Sequence, residues 1–233
     1  MYLERLQAAL PEVRSQIERA CERSGRSDAG SIELVGVTKG HPVEALRAAS
    51  EVGLAVIGES RVQEAADKLE LAGDLGLSWH LVGHLQRNKV KMALKLFSLI
   101  HSVDSVRLAQ AVAKESTKLN RRSPVLVQVN ASGEESKSGF EVEEGLAAVR
   151  EVGELEGVRV VGLMSMAPHS SDEGLLRSVF RRTRELYERC SDELEKFEPR
   201  YLSMGMTNDY EIAIEEGSNL VRLGTALFGG REP

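Results

Sequence analysis

Eight short apolar runs, each separated from the next by a helix-like stretch, constrain this chain more than any other feature. The runs fall at roughly 32–39, 54–58, 78–82, 97–101, 124–130, 158–164, 200–203 and 219–223. Most are short and rich in Val, Ile and Leu. The first, over 32–39, is nearly continuous, the pattern of a parallel strand covered on both faces. Helix patterns fill the seven gaps: Pro42 to Val52, Ser60 to Gly73 with a capping box of Ser60 and Gln63, Leu85 to Leu96, Ser105 to Leu119, Val142 to Gly153, Asp172 to Leu194 and Asn208 to Glu216. Strict alternation predicts a parallel α/β sheet, either a closed (β/α)8 barrel or a doubly wound sheet, and the count of eight selects the TIM barrel.

An amphipathic helix near 2–24 precedes the first strand. Leu3, Leu6, Leu10, Val13, Ile17 and Ala20 repeat at three- and four-residue spacing, and Gly25 follows as a C-cap. After the eighth strand the chain stops at Gly229-Gly230-Arg231-Glu232-Pro233, without room for a full helix. The N-terminal helix is expected to cover that gap, giving one barrel domain over 1–233 with 1–25 packed on it.

A length of 233 residues suits one such barrel. The net charge of -6 argues against a general nucleic-acid or membrane-surface binder. Met1-Tyr2-Leu3-Glu4-Arg5 carries charges where a signal peptide is apolar, and no run approaches the roughly 18 apolar residues of a membrane span. Cys21 and Cys190 lie in helix-like stretches without a motif, which suits reduced thiols in a cytoplasmic protein.

The first strand, Ile32-Glu33-Leu34-Val35-Gly36-Val37-Thr38-Lys39, ends in a lysine, followed by Gly40 for a turn and Pro42 for the first position of a helix. By alternation Lys39 shares a face with Val35 and Val37. On this stretch alone a surface lysine is the plainer reading. If that face lines a barrel, Lys39 sits at the carboxyl mouth on an apolar floor, where lost hydration favours the neutral, nucleophilic amine. Two later turns carry hydroxyls and glycines: Ser203-Met204-Gly205-Met206-Thr207 after the seventh strand, and Gly224-Thr225 after the eighth. Loops at those two positions of a TIM barrel often bind phosphate. Arg222 lies inside the eighth strand, where an arginine is costly unless paired or bound. Closure puts strand eight beside strand one, so Arg222 and Lys39 are expected near each other. Two cations beside a phosphate site suit an anionic aldehyde. Pyridoxal 5′-phosphate (PLP) fits, with its aldehyde at Lys39, its phosphate at the two turns and its ring nitrogen at Arg222.

Several motifs then resemble the PLP homeostasis proteins, the YggS/PROSC family: Thr38-Lys39, Gly58-Glu59 with Val62-Gln63-Glu64, and Trp79-His80-Leu81-Val82-Gly83-His84-Leu85-Gln86-Arg87-Asn88-Lys89. Ser132 to Phe140, Gly162-Leu163-Met164-Ser165-Met166, Ser203-Met204-Gly205-Met206-Thr207 with Asp209, and Val221-Arg222-Leu223-Gly224 with Phe228-Gly229 complete the match in order. The resemblance spans the chain from the first strand onward. It implies a fold-type III PLP barrel like the N-terminal domain of alanine racemase, with PLP held as a Schiff base on Lys39. It also implies phosphate contacts at Ser203, Thr207, Gly224 and Thr225, flanked by Gly205 and Met206, and Arg222 beside the ring nitrogen. Ser60, His80 and Met164 are taken as further cofactor-site residues. The family usually reads Gly-Glu-Asn-Tyr where this chain has Gly58-Glu59-Ser60-Arg61, and the shorter Ser60 would reach a cofactor only through a water. Thr38 stands where Ser is common.

His80 and His84 are four apart, but a strand-to-helix change between them and the lack of an accompanying acid or thiol argue against zinc. His80 reads as a pocket-wall or core residue, and Met164 and Met166 as packing at the mouth. Lys137 sits in a Gly/Ser/Glu-rich loop, read as solvated, with a transient role in handing on PLP as the alternative. In related racemases the second base is a tyrosine from a further domain. Neither Tyr201, at the far end of strand seven, nor Tyr210, in the next helix, offers an obvious substitute. An arginine on the ring nitrogen also leaves the ring a weaker electron sink than a carboxylate would. The expectation is therefore a PLP-binding and buffering protein without appreciable amino-acid turnover, a monomer, with apo PLP-dependent enzymes as acceptors. The rivals are a small PLP racemase-like enzyme and a barrel for another phosphorylated metabolite.

Overall fold

The structure, a computed structural model, describes residues 1–134 and 138–230. The apolar runs form β1 (Glu33–Val37), β2 (Val56–Glu59), β3 (Ser78–Leu81), β4 (Leu99–Val103), β5 (Ser123–Asn130), β6 (Phe140–Glu141), β7 (Val158–Ser165), β8 (Phe197–Ser203) and β9 (Leu220–Leu223). All pairings are parallel, and β4–β5 and β1–β9 pairing closes eight of these strands into a barrel. The two-residue β6 lies outside it, pairing Phe140 with Val129 at the end of β5. This short strand has no sequence signal of its own, since two residues carry no period.

The helices are α1 (Tyr2–Arg23), α2 (Val43–Glu51), α3 (Val62–Ala72), α4 (Val90–Leu96), α5 (Val106–Lys118), α6 (Val142–Gly153), α7 (Glu173–Glu193), α8 (Tyr210–Glu215) and α9 (Thr225–Phe228). Ser105 and Asp172 cap α5 and α7 through their side chains, accepting from the amides of Leu108 and Leu175. Three helix starts differ from the sequence reading. Pro42 is the extended N-cap of α2 rather than its first residue. The Ser60–Gln63 capping box does not form: Arg61 is the N-cap of α3, and Gln63 Nε2 donates to Asp67 Oδ1 at 3.1 Å. Ser60 is held back because its turn packs on Gly83, where an added Cβ would lie 2.3 Å from the Ser60 carbonyl oxygen. Leu85 is drawn into the core, so the segment after β3 begins as a short 3₁₀ turn, Arg87–Lys89, before α4.

Side-chain alternation divides the apolar residues into two layers. Val35, Leu99, Leu126, Val161, Met164 and Leu220 pack together inside the barrel. The larger cluster lies between strands and helices. Strand β7 bulges between Val160 and Gly162, which lets Val161 and Met164 both face inward. Gly162 has φ +150°, and a Cβ there would lie 1.8 Å from the Tyr201 carbonyl oxygen. The bulge therefore needs glycine.

Helix α1 buries Leu6, Leu10, Val13, Ile17 and Ala20 and packs on α2, α8 and α9. It covers the strip beside β9 and β1, where α9 is a single turn. Among the described residues no helix is long and apolar enough to cross a membrane.

Candidate functional site

The carboxyl ends of the strands form one mouth, and β1 delivers Lys39 there two residues past its end. The lysine turn is tightly held. Thr38 N–H donates to the Gly58 carbonyl at 3.1 Å, and His41 N–H donates to the Thr38 carbonyl at 3.0 Å. Gly40 turns with φ +71°. Behind the turn, the buried His41 ring lies against Tyr2 and Phe228, with centroids 5.7 and 5.6 Å away. Lys39 itself is exposed. The expected loss of hydration on an apolar floor is therefore not what the structure shows: the inward face is apolar below Lys39, but the side chain has left the packed interior.

Arg222 is the deep cation. The β1–β9 register pairs it with Val35, four residues before Lys39, so it lies well below the lysine in the barrel rather than level with it. It is 4 % exposed, and donates from Nη1 to the Ser203 carbonyl and hydroxyl and from Nη2 to the Ser165 carbonyl, the carbonyl bonds being 2.9 Å. Burial lowers its pKa to about 10 against the attraction of Asp209, so the guanidinium remains cationic at neutral pH. Three of an arginine's five N–H donors are thus used, and two are left without a protein partner among the described residues.

A polar seam runs from this arginine through the apolar interior. His101 Nδ1 lies 3.1 Å from Ser203 Oγ, and His101 Nε2 lies 3.1 Å from His80 Nδ1. The direction of each bond follows from Arg222, which can only donate. Ser203 Oγ accepts from it and turns its own hydrogen to His101 Nδ1. His101 then carries its proton on Nε2 and donates to His80 Nδ1. Both rings are held neutral chiefly by burial, with the His80 pKa lowered to about 4 and that of His101 well below the ordinary value. The seam ends near Glu33, whose Oε1 is 3.9 Å from His80 Nδ1 and whose Oε2 accepts from the Tyr201 hydroxyl at 3.4 Å.

The two hydroxyl-bearing turns meet. Thr207 Oγ1 accepts from Ala226 N–H at 3.3 Å, and Arg222 N–H donates to the Gly205 carbonyl at 3.1 Å. Gly205 has φ +90° and is buried, and Gly224 is the N-cap of α9. Thr207 is half-buried, and Met206 and Thr225 are exposed. Asp209 Oδ1 accepts from Met206 N–H at 2.6 Å and fixes the first turn. Thr207, Gly205, Met206, Gly224 and Thr225 are therefore brought together. Ser203 is not with them: its hydroxyl is committed to the interior seam, because its position in β8 points it inward beside Arg222. His80 and Met164 also lie in the interior, the first in the seam and the second in apolar packing. Ser60 is half-buried at the end of β2. His84 pairs with Asp104 at 3.1 Å. Lys137 lies outside the described residues.

Sequence reasoning missed His101 and assigned no role to Glu59, Glu64 and Lys68, which surround the lysine turn. His101 was findable by the logic applied to Arg222: it is a polar residue inside the apolar run that becomes β4.

A family model for the alanine racemase N-terminal domain matches residues 11–232. The pyridoxal phosphate homeostasis protein of Aquifex aeolicus is 43% identical over 223 residues, covering 96% of this chain and 97% of that one. The chain belongs to the pyridoxal phosphate homeostasis protein family. The solved structure of PipY of Synechococcus elongatus with PLP bound is 34% identical, with a TM-score of 0.80 over 85% of this chain and 93% of that chain. An alanine racemase of Clostridium difficile shares the fold at 17% identity, with a TM-score of 0.78 over 99% of this chain and 58% of that chain. The homeostasis family thus has the racemase barrel, matched here nearly end to end by relatives of the same length.

Proposed function

We propose that this protein binds PLP at the barrel mouth and serves intracellular PLP homeostasis, holding and releasing the cofactor without appreciable turnover of amino acids. The carrying observation is the exposed Lys39 amine above a buried Arg222 with two N–H donors to spare, at a mouth rimmed by the Thr207 and Thr225 turns. That donor set fits a phosphorylated aldehyde with a ring nitrogen. The PLP-bound PipY relative supports the reading. When bound, PLP would supply an aldehyde, an electrophile for the unprotonated Lys39 amine, with water as the leaving group.

The chain's own residues then have distinct tasks. Lys39 would offer the amine, Arg222 would donate to the ring nitrogen, and Thr207, Gly224 and Thr225 would hold the phosphate. The seam of Ser203, His101 and His80 holds Arg222 in place and keeps it a donor. The two tyrosines weighed as a second base, Tyr201 and Tyr210, are turned elsewhere. Tyr201 reaches Glu33 at the opposite end of the barrel, and Tyr210 donates to Gln16 of α1 on the outer face. This supports a carrier over a racemase-like enzyme, the reading that the shared barrel alone would favour. We further propose that the protein works as a monomer in the cytoplasm and that apo PLP-dependent enzymes are its acceptors.

The test is visible absorption of wild type and Lys39→Ala with added PLP, followed by borohydride reduction and peptide mapping. Wild type is expected to show a cofactor band and a reduced adduct on Lys39, both lost in the variant. Adducts scattered over surface lysines, equal in both proteins, would overturn the assignment.

A further inference from the structure

Lys39 has little around its side chain, yet the peptide groups on either side of it are both fixed from α3. Lys68 Nζ donates to the Thr38 carbonyl at 2.7 Å. Glu64 Oε1 accepts from Gly40 N–H at 2.6 Å. The first bond orients the peptide plane entering Lys39, and the second orients the plane leaving it. Two fixed planes define the φ and ψ of the residue between them, and hence the direction of its Cα–Cβ bond. The amine is aimed by its flanks rather than by contacts of its own.

The three side chains behind this are linked to one another. Lys68 Nζ also donates to Glu59 Oε1 and to Glu64 Oε1, each at 2.7 Å, so all three of its N–H groups are used. Thr38 Oγ1 donates to Glu59 Oε1 at 2.6 Å, tying in the residue before the lysine by its side chain as well. Glu64 and Lys68 stand one turn apart on α3, and Glu59 ends β2. The site is buried: side-chain exposure is 0% for Glu59, 9% for Lys68 and 25% for Glu64. Burial raises the Glu59 pKa despite Lys68 and Thr38. Burial acts in the same direction on Glu64, but the bonds from Lys68 and Gly40 outweigh it and leave its carboxyl below the usual range.

An ion cluster of this kind is a poor choice if packing is all that is needed, because apolar residues of similar volume are often as stable or more so. What it supplies that apolar packing cannot is a pair of directional bonds to one carbonyl and one amide. We propose that Glu59, Glu64 and Lys68 form a positioning triad that aims the Lys39 amine at an aldehyde in the barrel mouth. This rests on Lys39 being the amine that receives the cofactor. The triad residues touch neither cofactor nor reacting atoms; they act through the backbone of Thr38–Lys39–Gly40.

The experiment compares wild type, Glu64→Ala and Glu64→Gln with PLP, following the rate of adduct formation on Lys39 by stopped borohydride trapping and peptide mapping, with thermal unfolding measured alongside. Glu64 is partly exposed and Lys68 keeps Glu59, so Glu64→Ala is expected to fold. It should slow trapping at Lys39 by about tenfold or more, the scale of a lost near-attack orientation, and shift adducts toward other lysines. Glu64→Gln keeps an oxygen acceptor for Gly40 and should recover most of the rate. A Glu64→Ala protein that melts lower but reacts at Lys39 at the wild-type rate overturns the triad while leaving Lys39 as the cofactor lysine. A wild type that gives no adduct on Lys39 overturns the functional reading and the triad with it.

Discussion

His80 sits neutral in the barrel with its pKa near 4, against 6.5 for a free imidazole, because burial removes the water that would solvate its charge. Between those two values the unfolded chain binds the extra proton and the folded chain does not. Stability from this residue is therefore present above pH 6.5 and is lost as pH falls toward 4. The span corresponds to roughly 3 kcal/mol. His80→Asn keeps an acceptor for His101 but removes the titration. Chemical unfolding at pH 7, 5.5 and 4.5 should show wild type losing stability relative to the variant as pH falls; parallel curves would remove His80 from the account. His101, also held neutral by burial, acts in the same direction. Raised carboxyls such as Glu59 and Glu33 act oppositely, which is why the comparison is made against the variant.

At the scale of elements, the β7 bulge decides how the barrel interior fills. Without it, Val161 and Met164, three apart, could not both face inward. Gly162→Ala would drive a Cβ into the Tyr201 carbonyl, backbone against backbone with no flexible side chain to yield. The expected cost is about 4 kcal/mol or more, read as a lowered urea midpoint. A near-neutral change would mean that β7 and β8 can separate locally. Tyr201 and Ser203 both project inward from β8 beside this bulge, so its loss should also disturb Arg222 and the cofactor band.

The whole molecule joins an exposed amine, a buried cation and two turns at one end of a barrel, and turns Tyr201 and Tyr210 away from the mouth. A carrier with this arrangement should invert or consume amino acids negligibly. Incubation of the PLP-loaded protein with L- and D-alanine, assayed by chiral chromatography, should leave both unchanged. A kcat near the enzyme median of about 10 s⁻¹ would instead favour the racemase-like reading.

The strand–helix alternation, the eight strands, the amphipathic α1 and the clustering of the Thr207 and Thr225 turns were all legible in the sequence, because they depend on local periodicity and on glycine-bearing turns. The (β/α)8 barrel followed from the count. Depth and direction did not. That Arg222 lies at the level of Val35 depends on the β1–β9 register. That Ser203 turns to His101 rather than to the mouth depends on which face of β8 closes inward. Glu59, Glu64 and Lys68 converge on the Lys39 turn only because α3 packs back across β1 and β2. Periodicity is a property of neighbours a few residues apart, whereas a buried hydrogen bond joins groups that only closure of the barrel brings within 3 Å.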